Sequence, residues 1–109
     1  MQKQFFTIDI EGMPIRVRYR PDYFASLGVA HMELMSPQEP RRPIPISETG
    51  YRSHFCALEA VAQLGTAEAY AMAYCKAQKR KRLGEEASLS DILAAAQPPQ
   101  PGEQLGLFG

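Results

Sequence analysis

The chain has 109 residues, of which 45% are hydrophobic, with 12 basic against 12 acidic side chains and two cysteines. That length admits one domain of about 90 to 95 residues able to bury a core of its own, and the charge balance excludes an overall basic field, so attraction to nucleic acid must come from local patches. No uninterrupted apolar stretch suits a membrane span, the start "MQKQFFTIDIEG" lacks a signal peptide's apolar core and cleavage site, and Cys56 and Cys75 belong to no zinc-type spacing, so a reduced cytoplasmic protein without metal or cofactor is expected.

The N-terminal third has period two. In "QFFTIDI" Phe6, Ile8 and Ile10 fall on one face, and in "PIRVRYR" Ile15, Val17 and Tyr19 do the same, the signature of half-buried strands. Between them "EG" suits a tight primed turn, because glycine accepts a positive φ, so these two strands are expected to pair. "RPDYFASLG" breaks the alternation at Pro21, Asp22 and Gly28. "VAHMELM" then restores it, with Ala30, Met32 and Leu34 on one side and His31, Glu33 and Met35 on the other, which places His31 at a surface or edge. The prolines of "SPQEPRRP" require a surface loop, and the short "IPI" at 44–46 is read as a weak fourth, edge strand.

Beyond "SETGYRSHF" the apolar residues recur at helical spacing and alanine becomes abundant. A first helix is predicted over 56–64, closed by Gly65. Thr66 caps a second over 67–82, with Tyr70, Ala73, Tyr74 and Ala77 in one stripe, basic residues at its C-terminal end and Gly84 as the stop. A third helix, "LSDILAAAQ", starts from Ser88 and halts before Pro98. The expected fold class is α+β: an antiparallel sheet of three or four strands followed by two or three helices packed on one face. The domain spans 1–96, and a proline-rich disordered C-terminal tail occupies 97–109.

Residues able to do chemistry cluster in "GYRSHFC". If that segment is extended, His54 and Cys56 share a face, but the sequence identifies no third group to orient them. The structural alternative is a packed junction, with Phe55 as a core anchor, Tyr51 and Arg52 closing the sheet and Gly50 making the turn; it is preferred, and a non-enzymatic protein is expected. An enzyme centred on the pair requires both side chains to line one open pocket.

Two basic features bear on nucleic acid. Arg16, Arg18 and Arg20 alternate along the second strand and project from one face, where Glu33 and Asp9 on neighbouring strands could pair with them. Lys79, Arg80, Lys81 and Arg82 wrap around their helix end, where they either contact phosphates or keep the terminus solvated. Together they define the alternative reading, a nucleic-acid-binding regulator.

The tail carries a different signal. "QPPQPGEQ" reads as an extended, solvated tether of about 3 Å per residue. It presents Gln104, Leu105, Gly106, Leu107 and Phe108, whose three large apolar side chains need a receiving groove. "QLGLF" resembles the pentapeptide through which bacterial replication and repair proteins dock on the DNA polymerase sliding clamp. The resemblance implies that Gln104 hydrogen-bonds in a polar subsite, Leu105 follows the connecting groove, and Leu107 with Phe108 fills the hydrophobic pocket. Gly106 departs from the usual serine or aspartate, and the freedom it must lose implies a weaker complex. "PIPISETGYRSHF" in the body is similar to a segment of short uncharacterised proteins carried on bacterial plasmids and integrative elements. The expected function is therefore a mobile-element accessory protein that docks on the clamp, recruiting its domain to replication or interfering with it. The oligomeric state is left open.

Overall fold

The structure, a computed structural model, describes residues 3–82 and 85–96. The expected tether over 97–109 and the expected helix stop at Gly84 lie outside the described residues.

Four antiparallel strands follow one another across a single sheet: β1 (Gln4–Ile10), β2 (Met13–Phe24), β3 (Val29–Met35) and β4 (Tyr51–Ala57). The β1–β2 register sets Phe6 opposite Val17 and Ile8 opposite Ile15, so the alternation read from the sequence puts all the apolar members on one face. The turn between them has positive φ at both Glu11 and Gly12, and the Asp9 carboxylate accepts from the Gly12 amide at 2.8 Å. The third strand also falls where the alternation places it, with Val17 opposite Leu34 and Tyr19 opposite Met32.

Two strand expectations need correction. The second strand does not end at Pro21 but runs on to Phe24, through a register irregularity between Arg20 and Phe24 where a proline need not donate to a ladder. The fourth strand is not the segment 44–46 but Tyr51–Ala57, paired along its whole length with β3. Ile44 and Ile46 instead bury their side chains in the core from the loop, where Ile44 forms an isolated bridge with Ser47. Ser36 Oγ holds that loop by accepting from the amides of Gln38 and Arg42, both at 3.2 Å.

Three helices cover the apolar face: α1 (Leu58–Leu64), α2 (Ala67–Lys79) and α3 (Leu89–Ala96). Because Cys56 and Ala57 belong to β4, α1 begins two residues later than its composition suggests. Thr66 caps α2 as expected, its hydroxyl accepting from the Ala69 amide at 3.0 Å, and the stripe of Tyr70, Ala73, Tyr74 and Ala77 is buried against the sheet. At the start of α3, Ser88 and Asp91 bond each other's amides reciprocally, at 3.1 and 3.0 Å. The core joins Ile8, Ile15, Val17, Met32 and Leu34 from the sheet to Val61, Tyr70, Tyr74 and Ile92 from the helices. Each large apolar side chain sealed there contributes roughly 1.5 to 3 kcal/mol.

The turn into β4 is tight. Gly50 has a φ of +79°, and a Cβ added there would lie 2.5 Å from the Arg42 carbonyl oxygen, whereas at Gly12, φ +85°, nothing approaches within 4 Å. Gly12→Ala should cost about 1 to 2 kcal/mol, the strain of a left-handed residue alone. Gly50→Ala should cost more, because backbone must also move. Urea denaturation of both variants measures the difference, and equal losses would show that the carbonyl contact is not constraining.

Candidate functional site

Among the described residues the three α-helices lie on one face of the sheet, and the other face carries none. Arg16, Arg18 and Arg20 project from it, as the strand alternation requires. Their surroundings differ. Arg18 lies opposite Glu33, and both its Nε and Nη2 reach the same carboxylate oxygen; this is the cross-strand pairing expected from the sequence. The Tyr51 hydroxyl donates to the other Glu33 oxygen at 2.5 Å. Burial pushes the Glu33 carboxyl up, but the bonds from Tyr51 and Arg18 outweigh it and hold the group below the usual glutamate value. Asp9 does not join the row: it faces Pro14 and caps the hairpin turn. Arg16 has no ion-pair partner among the described residues, and Arg41 reaches over this face to lie 5.0 Å from the centre of the Tyr51 ring.

At the other end of the same face is an aromatic patch that the sequence reading missed. Phe55, expected as a core anchor, points outward and is 54% exposed, because the β4 register puts Tyr51, Ser53 and Phe55 on this side and Arg52, His54 and Cys56 on the other. Its ring lies 5.8 Å from Tyr23 and 6.2 Å from Phe24. His31, expected at the surface, is only 8% exposed: its ring sits beneath Tyr23 and Phe55, 4.8 Å from each, and its Nε2 is 2.6 Å from the Ser53 hydroxyl. Burial lowers its pKa, against the pull of Glu33.

The basic run at 79–82 is on the helical side and does not meet the arginine row. Lys79 ends α2 and pairs with Glu11 at the β1–β2 turn, while Lys81 Nζ lies 2.8 Å from Asp91. Arg80 follows the helix as its cap, and Arg82 is exposed.

Facing the helices, β4 buries polar groups. His54 Nδ1 lies 2.6 Å from Glu86, and its Nε2 lies 2.8 Å from the Tyr70 hydroxyl. Arg52 donates to the Tyr74 hydroxyl at 2.8 Å and to Glu86 at 2.6 Å, and Tyr74 in turn donates to Glu86 at 2.9 Å. Burial depresses the His54 pKa further than Glu86 raises it, so at neutral pH the contact is a neutral N–H donating to a carboxylate, not an ion pair. The other nitrogen then accepts from Tyr70, which leaves both ring nitrogens satisfied. Glu86 is thus the orienting group that the sequence did not reveal, since it lies 32 residues beyond His54. Cys56 does share the His54 face, but it is buried and its thiol is pushed up to about 12, so it is not a thiolate near neutral pH. The cluster ties β4, α2 and the segment before α3 together, helped by Gln78, whose side chain donates to the Glu85 carbonyl at 2.6 Å and accepts from the Ala87 amide at 2.9 Å. Among the described residues no group of His, Cys, Asp and Glu is arranged to hold a metal, and no helix is long and apolar enough to cross a membrane.

Gln104, Leu105, Leu107 and Phe108 lie outside the described residues.

The molecule is therefore a small α+β domain whose sheet is sealed on one face and open on the other. Residues 3–90 match the KlcB third domain, and the chain belongs to that family. No curated protein and no solved structure matches it.

The buried polar cluster makes stability depend on pH. His54 and His31 both have folded pKa values below the ordinary 6.5, so the unfolded chain takes up protons first and stability falls as pH drops through about 6.5. Glu86, held below the ordinary 4.5, adds a second loss as pH falls through that value and below. Thermal melts should be flat between pH 7 and 8 and decline on acidification. Glu86→Ala should cost about 1 kcal/mol at pH 7, chiefly because it strips a partner from the buried His54, since water can replace the bonds of the partly exposed Glu86 and Arg52.

Proposed function

We propose that this protein is a plasmid-associated accessory protein that docks on the bacterial DNA polymerase sliding clamp through Gln104, Leu105, Leu107 and Phe108. The observation that carries this reading is the position of "QLGLF" in the sequence, after the proline-rich segment that follows α3. Two further points support it. Among the described residues α1 to α3 cover the apolar face of the sheet, and the family match ends at residue 90. Membership of the KlcB third domain family supports the plasmid-associated part.

Docking of this kind uses an extended peptide entering a preformed groove. Gln104 anchors the polar end, and Leu107 with Phe108 contributes most of the affinity by apolar burial. Residues 97–103 span roughly 20 Å if extended, enough to hold the domain clear of the clamp surface while raising its local concentration at replicating DNA. The same contact competes with the polymerase for the groove when it is tight enough, so recruitment and interference are two regimes of one interaction.

Calorimetric titration of the isolated clamp with the intact protein should show saturable binding. The double variant Leu107→Ala, Phe108→Ala should weaken it by at least about 100-fold, from the loss of two buried side chains. Gly106→Ser should strengthen it by a few-fold, by reducing the freedom lost on docking. Equal affinity of the intact protein and the double variant, or no binding by either, would refute the proposal.

A further inference from the structure

The helix-free face brings together flat exposed rings and a row of guanidinium groups, and neither is needed by the core. We propose that this face binds single-stranded nucleic acid laid across the strands, one base stacking at the Phe5 edge and another at the Phe55 edge, with Arg16, Arg20 and Arg41 on the intervening phosphates. The inference is independent of clamp docking.

Phe5 on β1 and Phe55 on β4 mark the two sides of the sheet. They are 64% and 54% exposed, and three strand spacings, about 14 Å, separate their strands. A ring so exposed leaves one face open to a partner, and an aromatic face is a stacking platform for a base of any identity. The Phe5 side has room for one: a hollow of about 390 Å³ is bordered by Phe5, Arg16, Arg18, Glu33, Arg41 and Tyr51. Its floor is held by the bonds among Arg18, Glu33 and Tyr51, so the site is formed before a ligand arrives. On the Phe55 side, Tyr23 and Phe24 extend the platform.

Charge selects this occupant over a second copy of the chain. The Glu33 carboxylate is taken up by Arg18 and Tyr51, whereas Arg16 and Arg41 keep their charge available to a partner. A two-fold axis passing over β2 or running across the strands would set its arginines against their own copies, a like-charge contact that opposes association. A duplex fits poorly as well, because paired bases have no exposed ring faces to stack on Phe5 and Phe55.

The test is fluorescence anisotropy of the intact protein with a labelled oligo-dT of about 12 nucleotides, a length that covers such a face. Binding is expected at low salt, and log affinity should fall against log salt with a slope of about −2, for roughly three phosphate contacts on a single strand. Phe5→Ala and Phe55→Ala, both at exposed positions that leave the core intact, should each weaken binding at least five-fold. Arg16→Ala should flatten the slope by about 0.7. Truncation after residue 96 should leave the affinity unchanged, which separates this outcome from the fate of the clamp proposal. The proposal is overturned by absence of single-strand binding at low salt, by equal affinity for a duplex of the same length, by a Phe5→Ala, Phe55→Ala double variant that binds as the intact protein does, by loss of binding on truncation, or by light scattering that shows a dimer dissolved by Phe55→Ala.

Discussion

β4 turns a half-buried arginine and a buried histidine toward the helices, and the need to partner those two groups constrains what packs around them. A buried polar group left without partners costs about 1 to 3 kcal/mol, so Arg52 and His54 can point inward only if other elements deliver oxygen atoms to meet them. The Tyr70 and Tyr74 hydroxyls do so from α2, and Glu86 does so from the segment leading into α3. This fixes the rotation of α2 over the sheet. It also fastens the chain between α2 and α3, with Gln78 adding two bonds to the same segment. The apolar residues of β1 to β3 would accept a helix in several orientations; the polar cluster selects one.

Gathering all three helices on one face leaves the opposite face to carry surface chemistry. There the arginine row of β2 meets Glu33 and Tyr51 at one end and a set of stacked rings at the other. The domain and the C-terminal peptide thus present distinct chemistries: a rigid surface with rings and guanidinium groups, and a short apolar sequence after a proline-rich segment. A protein that brings a nucleic-acid-binding surface to a replication machine through a peptide would use both, and each can be removed without touching the other.

The parts of this arrangement that could be read from the sequence are those set by local pattern. Strict alternation in β1, β2 and β3 identified the residues of the sealed face, and Thr66 and Ser88 announced the starts of α2 and α3. The fourth strand was harder because its alternation carries Arg52 and His54 on the inward side, the reverse of the usual sign of polarity. Tyr51, Ser53 and Phe55 against Arg52, His54 and Cys56 is nonetheless a clean period of two after Gly50, and that signal was present. Glu86 gave no local sign, since its role depends on partners 12 to 34 residues away. Phe55 was assigned inward on the general preference for buried rings, whereas His31 was assigned outward by the alternation of its strand. Phe55 lies outward because the register of β4 against β3, not side-chain type, decides the face, while His31 keeps the face expected of it and is buried there by the rings of Tyr23 and Phe55.

The central claim is that the terminal peptide docks on the clamp while the folded domain stays as it is. Backbone amide spectra of the isotopically labelled protein, recorded as unlabelled clamp is added, test it most directly. The account predicts loss or shift of the signals from residues 104–108 while the chemical shifts of β1 to β4 and α2 are retained. Changes centred on the sheet face around Phe55 and Arg16, with 104–108 unaltered, would contradict it.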